Sequence, residues 1–186
     1  MIKSKGWDWK IVKDDIDCPW KIPSVESYYL LNRWENLNFK NFLDLGCGLG
    51  RHTVLFAENG FNVSGFDISK EGIRKTKEWL KNLDLKADLK VGDMLELPYE
   101  NESFDCILCR NVISHQDTEG VKQIIKELYR VLKNNGECYL TLGSKSTWGF
   151  KQDSWPLVDE NTRLRMEEGP EYKIPHFYAD YDLIKE

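Results

Sequence analysis

The stretch FLDLGCGLGRHTVLFAENGFNVSGFDIS, residues 42–69, contains five glycines and two isolated aspartates. Its pattern predicts, in order, a strand, a glycine-rich turn, a helix that Gly60 ends and a second strand. The predicted elements cover residues 42–45, 52–59 and 61–66. Glycines let the main chain approach a ligand closely, and ligands of open parallel sheets bind where the strands end. We therefore expect a ligand site at this turn.

The same alternation continues on both sides of this stretch. A helix is predicted to begin at Ser24 in PSVESYYLLNRWENL, and Ser69 is the predicted cap of the helix after the second strand. The remaining predicted elements are that helix to about residue 83, strands over 89–91, 104–109 and 137–142, and a helix over 118–133 that KNNGE ends. Strands that alternate with helices form right-handed parallel crossovers, so we predict an α/β fold, a doubly wound three-layer sandwich.

The chain after this repeating pattern has a different character. Residues 143–186 are rich in turn residues, charges and aromatics, and they show no obvious strand. We predict a long excursion over the active face, followed by the start of a helix near Asp180. With residues 1–40 as a helical N-terminal lead and residues 41–142 as the core, residues 1–186 are predicted to form a single domain.

The composition limits the choice of partners. The 186 residues are 41% apolar, and 26 basic against 31 acidic residues give a net charge of -5. No block of basic residues marks a nucleic-acid surface, and no apolar run is long enough to cross a membrane or to act as a signal peptide. We therefore expect a soluble cytoplasmic protein with neither nucleic acid nor membrane as a partner.

The five cysteines, an odd number, fit reduced thiols in the cytosol. Cys106 and Cys109 form a CxxC motif, but this motif lies in the predicted strand FDCILC. Residues three apart on a strand point to opposite faces, so these two thiols do not easily share one metal ion. No metal site is predicted.

The glycine spacing separates several ligand classes. Gly46, Gly48 and Gly50 form G-x-G-x-G, whereas the dinucleotide fingerprint G-x-G-x-x-G needs glycine where this chain has Arg51. No Gly-Lys-Ser/Thr follows, which excludes a Walker phosphate loop. The turn is therefore typical of neither class.

Five segments together resemble a known family. LDLGCGLGRHT, VSGFDIS, LKVGDMLELPY, SFDCILCRNVISH and ELYRVLKNNGECYLTL are similar, in order and spacing, to successive motifs of the class I S-adenosylmethionine-dependent methyltransferases. The resemblance covers about residues 41–142 and is greatest to the small-molecule branch that includes the ubiquinone and menaquinone methyltransferases. It implies a Rossmann-like sheet in the order 3-2-1-4-5.

The family usually completes this sheet with an antiparallel hairpin of strands six and seven. A helix and such a hairpin need about 25 to 30 residues beyond the excursion, and the sequence ends at Glu186. We therefore expect strands six and seven to be absent from this chain. Either the sequence is a fragment, or five strands suffice and strand five is an exposed edge.

The resemblance also implies the cofactor, S-adenosyl-L-methionine, and the residues that bind it. The glycine turn would present N–H groups to the cofactor carboxylate, and Asp44 would attract the amine. Asp67 would accept hydrogen bonds from the ribose hydroxyls, Ile68 would lie beside the adenine, and Arg110 would leave the fourth strand beneath the sulfonium. The predicted cofactor residues are Asp44, Gly46, Gly48, Gly50, Asp67, Ile68, Asp93 as acceptor for the adenine amino group, Met94 and Arg110.

His115 is a weak candidate for a catalytic residue. It follows the fourth strand, where it would either remove a proton from the methyl acceptor or line the cofactor site. His176 would touch the substrate, whereas His52 fits packing. Eight aromatic residues outside the core pattern either bind substrate or pack the two terminal segments together, and both interpretations stay open: Trp7, Trp9, Trp20, Trp148, Trp155, Phe177, Tyr178 and Tyr181.

These features predict an enzyme, a methyltransferase that transfers a methyl group in line to a small-molecule acceptor. The fourth strand is followed by RNVI instead of [DNS]-P-P-[YF], and no Pro-Cys nucleophile lies there, which argues against methylation of DNA bases. Two other functions stay open, namely a nicotinamide-dependent oxidoreductase and a module that binds the cofactor without turnover.

Overall fold

A computed structural model describes residues 2–12 and 18–185. Five parallel strands of the described chain form the main sheet: β1 (Asn41–Leu45), β2 (Asn62–Asp67), β3 (Asp88–Val91), β4 (Phe104–Cys109) and β5 (Leu132–Leu140). Their order is β3-β2-β1-β4-β5, which confirms the predicted order. No sixth strand joins this sheet within the described ranges.

The described residues also form five α-helices and a 3-10 turn at Pro19–Lys21: α1 (Val25–Asn36), α2 (Arg51–Glu58), α3 (Lys70–Asn82), α4 (Thr118–Val131) and α5 (Tyr181–Lys185). Ser69 caps α3, as predicted, because its hydroxyl accepts a hydrogen bond from the Gly72 N–H at 3.2 Å. Of the helical lead predicted over residues 1–40, the described part has only α1 and the 3-10 turn. None of the helices in the described ranges is long and apolar enough to cross a bilayer.

Two apolar layers enclose the main sheet. On one face, Trp34 of α1 and Phe56 of α2 pack with Phe42 of β1, and the ring centroids of Phe42 and Phe56 lie 3.9 Å apart. On the other face, Ile124 of α4 belongs to the same buried cluster as Ile107 of β4. Helices therefore cover both faces of the sheet, which is the predicted three-layer arrangement.

The two cysteines of the CxxC motif lie in different clusters. Cys106 is buried on the face covered by α1 and α2, and Cys109 is buried on the face covered by α4. Both are free thiols. Their side chains occupy opposite faces, as predicted, so they do not hold a metal ion between them.

The start of β5 differs from the prediction. Helix α4 ends at Val131 and extended backbone follows at once from Leu132, whereas the sequence predicts a helix to residue 133 and a turn at KNNGE. The pairing of β5 with β4 shifts register in this stretch, and Asn135 has a left-handed φ of 64°. The turn residues therefore form an irregular bulge inside the strand.

The excursion, residues 143–180, contains a second sheet. Its strands are β6 (Gly143–Ser144), β7 (Leu157–Asp159), β8 (Thr162–Leu164) and β9 (Pro175–Ala179), in the order β6-β9-β8-β7. The expectation that this segment has no strand is therefore wrong. Strands of two to five residues are too short to show alternation in the sequence, and they form because they pair with one another. The helix predicted to begin near Asp180 is confirmed as α5.

The N-terminal segment, residues 2–12, lies beside the excursion. The Asp8 N–H donates to the carbonyl of Pro170 at 3.3 Å. The rings of Trp7 and Trp20 meet edge to face, with centroids 4.6 Å apart. Together the N-terminal segment and the excursion cover the edge of the main sheet at which its strands end.

Candidate active site

The carboxyl ends of β1, β2 and β4 open into a cleft that we call the inner cleft. The turn after β1, the loops after β2, β3 and β4, and the N-terminal segment form its walls. Of the nine predicted cofactor residues, eight line the inner cleft: Asp44, Gly46, Gly48, Asp67, Ile68, Asp93, Met94 and Arg110.

Gly50 is the predicted cofactor residue that is not among those lining the inner cleft. It precedes α2 with a φ of 87°, and a Cβ atom built on it would lie 2.5 Å from the Thr76 Cγ2 atom of α3. Glycine at this position therefore permits a left-handed turn and the close approach of α3. Spacing in the sequence does not separate this role from ligand binding.

The amides of the glycine turn point back toward β2. The N–H groups of Gly46 and Cys47 donate to the Phe66 carbonyl at 2.7 and 3.1 Å, and the Gly48 N–H donates to the Asp67 carboxylate at 2.8 Å. The turn is left-handed, with φ of 73° at Gly46 and 55° at Gly48. These three amides donate within the protein in this structure, and the prediction that the turn presents N–H groups to a cofactor carboxylate stays a prediction.

Asp67 ends β2 and links the glycine turn to α3. Its Oδ2 accepts from the Gly48 N–H, and its Oδ1 accepts from the Ser69 N–H at 2.7 Å. A carboxylate oxygen has two lone pairs, so each oxygen keeps acceptor capacity for a ligand. Burial raises the pKa of Asp67, although the two backbone hydrogen bonds oppose the shift. Hydroxyl donors of a ligand would stabilise its charged form.

Asp44, at the end of β1, is only 2% exposed. Its Oδ2 accepts a hydrogen bond from the Thr53 hydroxyl at 2.7 Å. Burial raises the pKa of Asp44 to about 6, and the hydrogen bonds from Thr53 oppose this only in part. A cationic ligand group would favour the charged carboxylate, so this position suits an amine.

Two arginines, Arg51 and Arg110, also line the inner cleft. Arg51 donates to the carbonyls of Pro19 and Ile22 at 3.4 and 3.3 Å. The Nε atom of Arg110 is buried and lies 3.6 Å from Glu26 Oε2, which is close enough for an ion pair but too far for a hydrogen bond, and the described residues offer it no hydrogen-bond partner. This donor suits a ligand carboxylate.

Asp93 and Met94 follow β3 and form another part of the wall of the inner cleft. The Asp93 Oδ1 atom accepts a hydrogen bond from the Leu95 N–H at 3.1 Å, and this bond stabilises a turn in the loop after β3. Met94 packs against the buried cluster on the α4 face. This wall therefore pairs a carboxylate with a soft apolar surface.

The N-terminal segment closes the inner cleft from outside. A Cβ atom on Gly6 would lie 2.5 Å from the Ile68 Cγ2 atom, so Gly6 rests directly on Ile68. A Cβ atom on Gly48 would lie 2.6 Å from the Trp9 ring. Each of these two contacts needs a glycine on one side, and together they place the segment against the turn and against the residue that follows Asp67.

A second cavity of about 480 Å³ adjoins the inner cleft, and we call it the outer cavity. The two share four lining residues, which are Trp7, Trp20, Asn111 and His115. The excursion and the loops after β4 and β5 supply the rest of the wall, which includes Ser114, Leu142, Arg165, Glu168, Glu171 and His176.

His115, Glu171 and His176 meet at the wall of the outer cavity. The His115 Nε2 atom lies 3.5 Å from Glu171 Oε1, and the His176 Nε2 atom lies 3.8 Å from Glu171 Oε2. Arg165 forms an ion pair with the same carboxylate. The predicted candidate His115 therefore lies between the inner cleft and a carboxylate of the excursion.

The protonation of this cluster follows from its burial and its charges. Burial alone would raise the pKa of Glu171, but His115, His176 and Arg165 together lower it. Burial lowers the pKa of His176 to about 4. At neutral pH the cluster contains an ionised carboxylate and a neutral His176 ring.

The sequence did not single out Glu171 or Arg165. Both lie in the excursion, outside the motifs of the family, and the pairing of β8 with β9 brings this part of the chain to His115.

The aromatic residues divide between the two interpretations that the sequence left open. Those lining a cavity are Trp7, Trp9 and Trp20, those buried in the excursion are Trp155, Phe177 and Tyr178, and those exposed are Trp148 and Tyr181.

The family of the chain follows from this fold and site together with the sequence of the core. Residues 42–136 match the protein family described as the methyltransferase domain. The chain belongs to this family, the class I S-adenosylmethionine-dependent methyltransferases, which confirms the resemblance stated for residues 41–142. S-adenosylmethionine is the cofactor of this family.

Curated relatives agree with this assignment. The demethylmenaquinone methyltransferase of Lactobacillus johnsonii is 30% identical over 129 residues, which cover 62% of this chain and 52% of that protein. The norajmaline N-methyltransferase of Rauvolfia serpentina is 38% identical over 96 residues, which cover 50% of this chain and 32% of that protein. The chain spans about half the length, or less, of these relatives.

Solved structures share the fold over more of the chain. A protein from Pyrococcus horikoshii has a TM-score of 0.66 and 25% identity, and the match covers 87% of this chain and 80% of that one. A S-adenosylmethionine-dependent methyltransferase from Methanosarcina mazei has a TM-score of 0.66 and 26% identity, with coverage of 77% and 74%. A S-adenosylmethionine-dependent methyltransferase from Clostridium acetobutylicum has a TM-score of 0.68 and 20% identity. The match covers 95% of this chain and 80% of that one.

Proposed function

We propose that this chain binds S-adenosyl-L-methionine in the inner cleft and methylates a small molecule held in the outer cavity. The observation that carries this proposal is the wall that the two cavities share. Trp7, Trp20, Asn111 and His115 line both, so a methyl donor in one chamber and an acceptor in the other would meet there.

The residues of the inner cleft fit a zwitterionic nucleoside. Asp44 would take the amine, because its buried carboxylate gains from a cation. Arg110 would take the carboxylate through its buried Nε, which forms an ion pair with Glu26 at 3.6 Å and has no hydrogen-bond partner among the described residues. Asp67 would accept from the ribose hydroxyls with its remaining lone pairs.

The other predicted cofactor residues would shape the site around the base. Ile68 and Met94 would supply apolar surface to the adenine, and Asp93 would accept from its amino group. Gly46 and Gly48 would contribute main chain to the wall of the site, since Val112 and Trp9 fill the space that a Cβ atom would take at each.

S-adenosylmethionine supplies an electrophilic methyl group when it is bound. The protein then has to align the acceptor atom for in-line transfer, keep water out and leave a path for a proton. The Trp7 and Trp20 rings would restrict the acceptor to one approach across the shared wall. The names of the relatives, methyltransferases of demethylmenaquinone and of norajmaline, support a small organic acceptor.

The first test is calorimetric titration of the full chain with S-adenosylhomocysteine and, separately, with NAD. We expect saturable binding of the first and no binding of the second. Asp67→Asn should weaken the binding, whereas Asp88→Asn, which changes an exposed carboxylate on β3, should not. A preference for NAD would overturn the proposal and favour the oxidoreductase.

The second test looks for turnover. The protein is incubated with a metabolite extract and S-adenosylmethionine that carries a deuterated methyl group, and mass spectrometry identifies products that gain this label. We expect labelled products with the wild-type chain and far fewer with Asp67→Asn. Tight cofactor binding without any labelled product would favour the binding module instead.

A further inference from the structure

The cluster of His115, Glu171 and His176 combines three side chains that bind metal ions. His115 follows β4, Glu171 precedes β9 and His176 lies within β9, so the main sheet and the excursion both contribute. One ligand atom of each side chain lies within 4.8 Å of the others. The fold therefore brings two imidazole nitrogens and a carboxylate to one point on the wall of the outer cavity.

The spacing of these atoms suits a single metal ion. A transition metal about 2.0 to 2.2 Å from nitrogen and oxygen ligands holds those ligand atoms roughly 3 to 3.6 Å apart. The Nε2 atoms of His115 and His176 lie 3.5 and 3.8 Å from the two oxygens of Glu171. Binding one ion would require side-chain rotations that shorten the separations between one ligand atom of each residue, which reach up to 4.8 Å.

One of the ligand atoms is buried without a hydrogen-bond partner in the described part of the chain. Within the described residues, the His176 Nε2 atom is buried and has no hydrogen-bond partner. This nitrogen lies 3.8 Å from the Glu171 Oε2 atom, so an imidazole nitrogen and a carboxylate oxygen face each other. A buried imidazole nitrogen without a partner is unfavourable unless a ligand occupies the space beside it.

The charge of the surrounding wall favours a cation. The outer cavity is lined by Glu167, Glu168 and Glu171 against one arginine, Arg165. Arg165 donates to both Glu171 and Glu167, which fixes the Glu171 carboxylate in place and leaves Oε1 directed toward His115. Carboxylates that bind metal ions typically also accept a hydrogen bond from a residue that does not bind the metal.

We propose that His115, Glu171 and His176 bind one divalent transition-metal ion at the wall of the outer cavity. Two imidazoles and one carboxylate select Zn²⁺, Co²⁺, Ni²⁺, Mn²⁺ or Fe²⁺ over Mg²⁺ and Ca²⁺, which prefer oxygen ligands alone. The remaining coordination positions open toward the outer cavity. In this site His115 is a metal ligand and is not free to act as a general base.

The sequence makes a direct test simple, because the chain contains only three histidines. The untagged, full chain with ¹⁵N-labelled histidine is titrated with Zn²⁺ and followed by the NMR signals of the imidazole rings. We expect saturation at one equivalent, with the signals of His115 and His176 shifted. His52 is the internal control, since it lies outside the cluster and its Nε2 accepts from the Ser24 N–H at 3.3 Å. Mg²⁺ at the same concentration should leave all three signals in place.

Variants measure how much each ligand contributes. Glu171→Gln and His176→Gln keep the approximate shape of each side chain and remove a ligand charge or nitrogen. Competition with a chromophoric chelator should show that each variant binds Zn²⁺ about 100-fold or more weakly than the wild-type chain. Loss of a residue that only hydrogen-bonds to a metal ligand typically weakens binding by roughly 10- to 100-fold. Glu168→Gln, which changes an exposed carboxylate of the same cavity, should stay within about threefold of wild type.

Three results would overturn the proposal. The first is Zn²⁺ binding that both variants retain. The second is a titration in which the ring signals of His115 and His176 do not move. The third is a Co²⁺ complex with thiolate charge-transfer absorption, which would assign the metal to the cysteines. Should Glu171→Gln fail to fold because Arg165 loses its partner, the wild-type titration and His176→Gln still decide the question.

Discussion

At the scale of single residues, Asp67 has a structural role in addition to the ligand role proposed for it. Its carboxylate holds the Gly48 and Ser69 amides, so the residue that would bind the ribose also fastens the glycine turn. Asp67→Asn should therefore weaken S-adenosylhomocysteine binding by about 2 to 3 kcal/mol and also lower the melting temperature. Calorimetry and thermal unfolding measure the two effects. Unchanged affinity would place the ribose elsewhere, and Asp88→Asn controls for loss of charge.

Asp44 should give the cofactor-free protein a characteristic dependence on pH. Burial raises its pKa from 3.8 to about 6, so the folded chain binds a proton that the unfolded chain releases between these values. The stabilisation by protonation is complete below pH 3.8 and is lost as the pH rises through 6. This one carboxylate should lower the free energy of unfolding by about 2 kcal/mol between pH 4 and pH 7.

Urea unfolding of the wild-type chain and of Asp44→Asn from pH 4 to pH 8 isolates this contribution, since other titrating groups are common to both. The wild-type chain should lose stability relative to the variant as the pH rises. Saturating S-adenosylmethionine should reduce this loss, because its amine would pair with the carboxylate. Parallel stability curves for the two proteins would contradict the shift assigned to Asp44.

The location of a residue in the inner cleft can be predicted from the sequence where a strand end fixes its position. Asp44 lies near the end of β1, Asp67 ends β2 and Asp93 follows β3, and parallel strands bring their carboxyl ends to one edge of the sheet. Glu171 follows no such rule. Its place beside His115 depends on the path of the excursion, which only tertiary packing determines.

At the scale of elements, the packing of the N-terminal segment against the inner cleft should depend on Gly48, which lies beneath the Trp9 ring. Gly48→Ala would place a Cβ atom 2.6 Å from the Trp9 ring at a φ of 55°, so we expect the segment to lift from the inner cleft. Gly60→Ala is the matched control, because its φ is 78° and no described atom lies within 4 Å of the added Cβ. The control should lose about 1 kcal/mol of stability, from backbone strain alone.

Two measurements separate these variants. Gly48→Ala should lose more stability than Gly60→Ala in urea unfolding, and it should release bound S-adenosylhomocysteine faster in stopped-flow fluorescence. Adding Trp9→Ala to Gly48→Ala should restore part of the lost stability, since it removes the atoms with which the new Cβ collides. Equal effects of the two single alanine variants would show that strain, and not contact with Trp9, controls the turn.

The sequence predicts the elements of the core better than those around it. Helix α1 begins after Ser24 as predicted, yet Val25, Tyr28 and Tyr29 are exposed, and Ser27 is buried with Leu30, Leu31 and Trp34. Apolar residues surround this helix, so periodicity does not fix its buried face. The strands of the excursion are missed because three of them have only two or three residues and β9, with the sequence PHFYA, shows no alternation of apolar and polar residues.

At the scale of the whole molecule, the excursion is part of the fold as well as a cover. Phe177 and Ala179 of β9 belong to the buried cluster beneath α4, and the Phe177 N–H donates to the Ser114 carbonyl at 2.8 Å. Removing the excursion would expose this cluster to water and destabilise the core. Its contribution to acceptor binding is therefore better tested by single substitutions in the outer cavity, such as Glu168→Gln, than by deletion.

The wall shared by the two cavities implies thermodynamic cooperativity between the two ligands. Trp7 and Trp20 would contact both the cofactor and the acceptor, so the first ligand to bind orders a surface that the second then finds already formed. The enhancement has to be reciprocal, and typical values are about 5- to 150-fold. Titrating any acceptor found in the labelling screen with and without S-adenosylhomocysteine measures it. Trp7→Leu should bring the enhancement close to one, whereas wild-type affinities that do not depend on the other ligand would show that the two chambers act independently.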